Sequence, residues 1–215
     1  MEKFIYHGTI KKFSNPTYGL GNKDNDYGLG FYCTEDINLA KEWACRIYPE
    51  GYINSYLFND EGLKILDLTS SNYSILNWIA ILLIKRDSIN SKKYEMELSY
   101  LQKYYINPSE YDVVIGFRAD DSYFEFPKAF LDSRLSLECL EETFNLGNLG
   151  IQYVLISQKA FERLSFLNSE KVMGYHKIYS ERLDDAKNRF NEILDSPRNK
   201  LGTTIRELLK HELNN

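Results

Sequence analysis

The chain alternates short apolar runs with long polar stretches, and the period of each run predicts its element. Lys3 to Thr9 (KFIYHGT) reads as a short buried strand that ends at Gly8. Asn15 to Gly30 is rich in Asn, Gly and Asp and reads as a long loop, closed by Gly28-Leu29-Gly30. Phe31 to Thr34 is apolar and extended. A helix start follows, with Thr34 as N-cap, Glu35 and Asp36 in the first turn, and Ile37, Ala40, Trp43, Ala44 and Ile47 on one face. Tyr52 to Phe58 and Leu63 to Leu68 read as two strands around an Asn-Asp-Glu-Gly turn, which predicts a hairpin. Ile75 to Ile84 predicts a buried helix and Tyr94 to Tyr104 a second. Val113 to Phe117 is a core strand that runs into the polar loop Arg118-Ala119-Asp120-Asp121. Ser136 to Phe144 reads as helix, Tyr153 to Ile156 as strand, and Lys159 to Leu167 as helix.

Beyond Ser169 the pattern changes to two amphipathic helices, near Tyr179 to Leu194 and Thr203 to Leu213, joined by Asp195-Ser196-Pro197-Arg198-Asn199. Ile178, Leu183, Ala186, Phe190 and Leu194 form one apolar stripe, and Ile205, Leu208 and Leu209 another. The expected organisation is an α+β domain over residues 1–168 and a C-terminal helical extension over residues 169–215.

The 215 residues are enough for one domain with a sizeable core. A net charge of −5 argues against a binder that works by general phosphate neutralisation. Three cysteines without a CxxC pair point to a reducing compartment and away from structural zinc. The longest apolar run, Trp78 to Ile84, is far short of the roughly 20 residues a membrane helix needs. The first residues, MEKFIYHGT, lack the basic-then-apolar order of a signal peptide, so the expected location is cytoplasmic, without a membrane.

No P-loop, HExxH, GxSxG or paired-cysteine deaminase motif is present. The three histidines, His7, His176 and His211, lie in dissimilar segments, so no metal is expected. Three separated pieces do carry chemistry together. Tyr6-His7-Gly8-Thr9 places a histidine at a strand end beside a glycine, which permits close backbone approach. Gly28-Leu29-Gly30-Phe31-Tyr32-Cys33-Thr34-Glu35-Asp36 leads into a helix that carries Ala40 and Trp43. Gln152-Tyr153-Val154-Leu155-Ile156 is a late strand that feeds QKAFERL.

In this order the pieces resemble the diphtheria-toxin and poly(ADP-ribose) polymerase-like ADP-ribosyltransferases, whose His-Tyr-Glu motif lies on three such segments. The chain is more closely similar to an uncharacterised bacterial branch of ADP-ribosyltransferase-like proteins, through HGT, FYCTEDINLAKEWA, VVIGFRADD and IQYVLIS. The likeness covers about residues 3–167. It implies an ADP-ribosyltransferase fold of two small packed β-sheets with flanking helices. The implied activity is mono-ADP-ribosyl transfer from NAD, as co-substrate, to a protein or nucleic-acid acceptor. The implied setting is a bacterial toxin, effector or phage-defence protein, with a neutralising antitoxin protein as partner.

The resemblance also assigns roles. His7 binds the adenosine ribose and Thr9 reaches the same sugar. The Gly8 backbone pairs with the nicotinamide carboxamide. Tyr32 stacks on the nicotinamide ring, with Trp43 as its second aromatic face, and Gln152 stands at the catalytic position. Cleaving the nicotinamide–ribose bond develops a sugar cation, and contacts to its 2-hydroxyl strengthen in the transition state. Two positions depart from the family: Gln152 replaces a glutamate, and Ala40 stands where relatives often carry serine. An amide bonds the ribose hydroxyl but adds no charge, so Asp120 or Asp121 is the candidate compensating carboxylate. The alternative functions are a non-catalytic NAD or ADP-ribose-binding module and a partner-binding interaction protein.

Overall fold

In the computed structural model, which describes residues 1–12, 14–85, 92–118, 125–145 and 150–214, seven strands form two small sheets. In the first, β1 (Glu2–Thr9) pairs antiparallel with β3 (Glu50–Asn59), and β3 pairs antiparallel with β7 (Leu164–Met173). The second has the order β2 (Phe31–Cys33), β6 (Ile151–Leu155), β5 (Val113–Phe117), β4 (Ile65–Asp67), with only the β4–β5 pair parallel. The sheets meet along one seam. The Tyr6 amide donates to the Thr34 carbonyl at 2.8 Å and the Thr34 amide to the Tyr6 carbonyl at 3.0 Å.

Alternation along the strands builds the core. Ile5, Tyr56 and Phe58 of the first sheet pack on Phe31, Cys33, Val113, Ile115 and Leu155 of the second. The opposite face of the second sheet offers Leu66, Val114 and Val154 to a helical layer. That layer holds α2 (Ile75–Lys85), α3 (Glu95–Leu101), α4 (Glu125–Leu131) and α5 (Leu137–Asn145). The outer face of the first sheet is covered by α1 (Ile37–Ala44), which lies directly on strand backbone. A Cβ on Gly8 would stand 2.0 Å from the Ala40 carbonyl oxygen, and one on Gly51 2.2 Å from that of Ala44. Gly8 is therefore glycine because a helix crosses it, which differs from the ligand-approach reason its position beside His7 suggests.

Three expectations are corrected. The predicted hairpin does not form, because both edges of β3 are already paired with β1 and β7. The turn at Gly62, with φ of +73°, instead sends the chain into the second sheet, where β4 pairs with β5. The predicted helix over 159–167 is one short turn, α6 (Gln158–Phe161), after which β7 begins. Residues from Leu164 onward extend because the open edge of β3 offers a ladder and Tyr56 offers an aromatic partner to Phe166. The N-cap of α1 is Asp36, whose carboxylate accepts from the amides of Asn38 and Leu39. Thr34 is held back in the seam, and its hydroxyl oxygen accepts from the Asp36 amide.

The C-terminal region consists of α7 (Tyr175–Asp195), α8 (Pro197–Leu201) and α9 (Ile205–Leu213). Strand β7 runs through the 168/169 position where the extension was expected to begin. Ala186, Phe190 and Ile193 of α7 and Ile205 of α9 share the core that holds Trp78, Phe126 and Phe130. Asn199 ties the region down, accepting from the Ser136 amide and donating to the carbonyls of Arg134 and Leu194. No described helix is long and apolar enough to cross a membrane.

Candidate functional site

The seam between the sheets assembles the first two chemical pieces. The His7 imidazole Nδ1 lies 2.7 Å from the Tyr32 carbonyl oxygen. A carbonyl only accepts, so Nδ1 carries the proton of this bond. The same ring stacks on Phe31 at 4.6 Å between centroids, tilted by 33°. Burial lowers the imidazole pKa, against the opposing pull of the backbone bond, so His7 stays neutral near pH 7. Opposite His7 in register stands Asn54, fully buried, whose amide has no hydrogen-bond partner among the described residues.

Backbone direction follows from the ladder. Tyr6 directs both its N–H and its C=O away from β3, toward Thr34. In an antiparallel strand the direction repeats every second residue, so Gly8 points its N–H and C=O to the same side, toward the level of Tyr32 in β2. Thr9 closes the strand opposite Tyr52.

Tyr32 occupies the other face of β2. Its hydroxyl donates to the Gly28 carbonyl at 2.7 Å and accepts from the Tyr27 amide at 3.1 Å. The hydroxyl thus clamps the end of the 15–30 loop across the second sheet. Tyr27 enters through the gap that Gly116 leaves, since a Cβ there would lie 2.0 Å from the Tyr27 hydroxyl oxygen. That hydroxyl donates to the Phe117 carbonyl at 2.8 Å and accepts from the Trp78 indole at 2.6 Å. Burial and the adjacent Asp26 charge push the Tyr27 phenol far above its usual pKa, so it remains a donor.

Gln152 lies on this same sheet face, since its neighbour two along, Val154, pairs with Tyr32. It is 3% exposed. Its Nε2 donates to Asp26 Oδ2 at 3.0 Å and to the Phe117 carbonyl at 3.3 Å. Asp26 is itself only 6% exposed. Nothing in the Asn-Gly-Asp-rich loop distinguishes Asp26 from its neighbours; the one available signal was the large aromatic Tyr27 beside it, an anchor in an otherwise polar stretch.

Trp43, on α1, is partly buried, and its indole N–H is buried without a hydrogen-bond partner among the described residues. The Arg118 guanidinium covers the Trp43 ring at 4.9 Å and approaches the Tyr179 ring of α7 at 6.0 Å. Beside Trp43, Glu42 is buried and paired with Arg182 of α7 at 2.8 Å. Desolvation raises the Glu42 pKa against the pull of Arg182 and Arg118. These tail-to-α1 contacts were not legible from the spacing of either segment. Asp120 and Asp121, the expected compensating carboxylates, lie outside the described residues. Among the described residues no three His, Cys, Asp or Glu side chains converge as a metal site requires.

A separate pocket of ≈ 240 Å³ opens beside the glycine loop, walled by Tyr18, Leu20, Tyr27, Leu29, Ile156 and Phe161. Tyr18 meets Phe161 edge to face at 5.6 Å.

The chain belongs to the DUF3990 family, described as proteins of unknown function, whose model matches residues 3–166. The match spans β1 to the start of β7 and stops short of α7. No curated protein and no solved structure matches the chain.

Proposed function

We propose that this member of the DUF3990 family has the ADP-ribosyltransferase fold and is a mono-ADP-ribosyltransferase, with NAD as co-substrate and a macromolecule as acceptor. The observation that carries the reading is the His7 Nδ1 bond to the Tyr32 carbonyl at 2.7 Å. It couples the first two motifs, 25 residues apart, at a seam where the Gly8 N–H and C=O face the side of β2.

Each residue has a task on this reading. Neutral His7 braces β2 and contacts the adenosine ribose, with Thr9 beside it. The Gly8 N–H and C=O pair with the carboxamide of nicotinamide, which offers the matching acceptor and donor. The Tyr32 ring holds the pyridinium, favoured by the negative face of an aromatic ring. Gln152 accepts from a ribose hydroxyl as charge develops. The C1′–N1 bond breaks with its electron pair leaving on neutral nicotinamide, and an acceptor lone pair forms the new bond to C1′ while its proton passes to solvent. The acceptor class, protein or nucleic acid, and an antitoxin partner in a toxin or phage-defence setting remain part of the proposal.

A second reading is an NAD or ADP-ribose-binding module without turnover, favoured by one feature: an amide, Gln152, in place of the glutamate. Both readings are tested with NAD labelled in its adenylate phosphate, incubated with the chain and a cell lysate, then treated with nuclease or protease. Label that enters macromolecules, with release of nicotinamide, supports transfer and names the acceptor class. Calorimetric NAD binding without nicotinamide release supports the second reading. An absence of both leaves a protein-interaction domain.

A further inference from the structure

We infer that Asp26 supplies the negative charge that Gln152 lacks, and acts through Gln152 as a positioning residue for NAD cleavage. The inference rests on the transferase reading above.

The geometry is specific. Gln152 Nε2 has two hydrogens, and two acceptors receive them, Asp26 Oδ2 at 3.0 Å and the Phe117 carbonyl at 3.3 Å. Committing both N–H groups fixes the amide's orientation and makes Oε1 the end presented to any further donor, such as a ribose hydroxyl. The carboxylate is placed by the loop rather than by chance rotation. Tyr32 grips Tyr27 and Gly28 on one side, and the Tyr27 hydroxyl is locked between Phe117 and Trp78 on the other. Asp26 directly precedes those anchors, inside the turn that the Gly28 amide closes on the Asn25 carbonyl at 2.9 Å, and meets Gln152 on the sheet face that also carries Tyr32.

Burying a carboxylate is costly, and an asparagine at position 26 would accept the same bond with no charge to bury. A carboxylate adds two effects that an asparagine cannot. Its charge polarises the amide and makes Oε1 a stronger acceptor. Its field also acts on the sugar cation in a low-dielectric wall. No proton passes to or from Asp26 in this role, so the balance of the cleavage step is untouched.

The test compares the parent chain with Asp26→Asn, Gln152→Glu and the double variant, each by nicotinamide release, NAD affinity by calorimetry and thermal melting. Asp26→Asn is expected to lower kcat by roughly tenfold to a hundredfold, the difference between a charged and a neutral contact plus the lost field. NAD affinity should change by less than about threefold, because the charge matters only once the cation develops. The double variant restores one carboxylate directly at the ribose and should recover kcat to within a few-fold of the parent. Gln152→Glu alone places two carboxylates side by side, so the acid limb of its pH profile should move to higher pH as they share a proton.

The inference is overturned if Asp26→Asn matches the parent, or if its loss is not recovered in a folded double variant, which would make Asp26 a loop anchor only. If Asp26→Asn does not fold, an unmoved pH profile in Gln152→Glu overturns it equally. No nicotinamide release from the parent chain overturns the transferase reading itself, and the inference with it.

Discussion

The imidazole of His7 and the backbone carbonyl of Tyr32 are joined by a 2.7 Å hydrogen bond across two different sheets. This bond does structural and chemical work together: it locks the seam, and it fixes the tautomer of the residue nearest the Gly8 edge. Its partner group is backbone, so no substitution at position 32 removes it, whereas a side chain without a donor at position 7 does.

His7→Ala should therefore weaken stability and NAD binding together. Loss of this bond is worth about 1–3 kcal/mol, roughly fivefold to 150-fold in affinity. Because the folded-state pKa of His7 lies below the unfolded value, the unfolded chain takes up the proton first. Stability should fall as pH drops below about 6.5, and the fall should be shallower in His7→Ala. Parallel melts of the two chains between pH 7.5 and 5 check the sign.

Tyr32→Phe keeps the ring and removes only the hydroxyl that grips Tyr27 and Gly28. The expected cost is about 1–3 kcal/mol for two stranded backbone groups, a melting shift of several degrees. NAD affinity should be largely kept in Tyr32→Phe and lost in Tyr32→Ala. Equal losses in both would show that the loop clamp, and not the ring, serves the ligand.

Trp43 and Trp78 are the two indoles of the chain, and Trp78 is locked to Tyr27 deep in the core. NAD should quench fluorescence through Trp43, and Trp43→Phe should abolish the quench. Arg118 already covers one face of that ring. Arg118→Ala should thus change the size of the quench. A quench that survives Trp43→Phe removes this tryptophan from the ring site.

Gly8→Ala drives a methyl group to 2.0 Å from the Ala40 carbonyl oxygen, so α1 must lift. A loss of about 1–3 kcal/mol or more is expected from overpacking. Hydrogen exchange localises it: the amides of α1 should exchange faster while those of α2 do not.

Phe190→Ala removes a ring stacked 4.2 Å from Phe126 in a shared core, at a cost of about 3–5 kcal/mol. Ending the chain after Gly174 would uncover the same core and should yield insoluble protein. A soluble, cooperatively melting chain of residues 1–174 would show that α7 to α9 form an independent unit.

Local pattern alone determined a large part of this molecule. The strand ending at Gly8, the extended Phe31–Cys33 segment, the helix after it, the buried helix from Ile75 and the strands from 113 and about 153 follow from periodicity, although the cap of that first helix is Asp36 and not the expected Thr34. The choice of His7, Tyr32 and Gln152 as residues to examine together came from the resemblance of their three segments to the ADP-ribosyltransferases. Tertiary structure decided the rest, for one physical reason: a strand's partner and a polar residue's burial depend on what arrives from elsewhere in the chain. The apolar run at 63–68 has the same pattern whether it folds back on β3 or crosses to β5. Only the prior claim of β1 and β7 on both edges of β3 sends it across. Leu164 to Met173 becomes strand because an edge was open to it. Asp26 looks like any loop acid until Tyr27 drops into the gap over Gly116 and carries it against Gln152, 126 residues away.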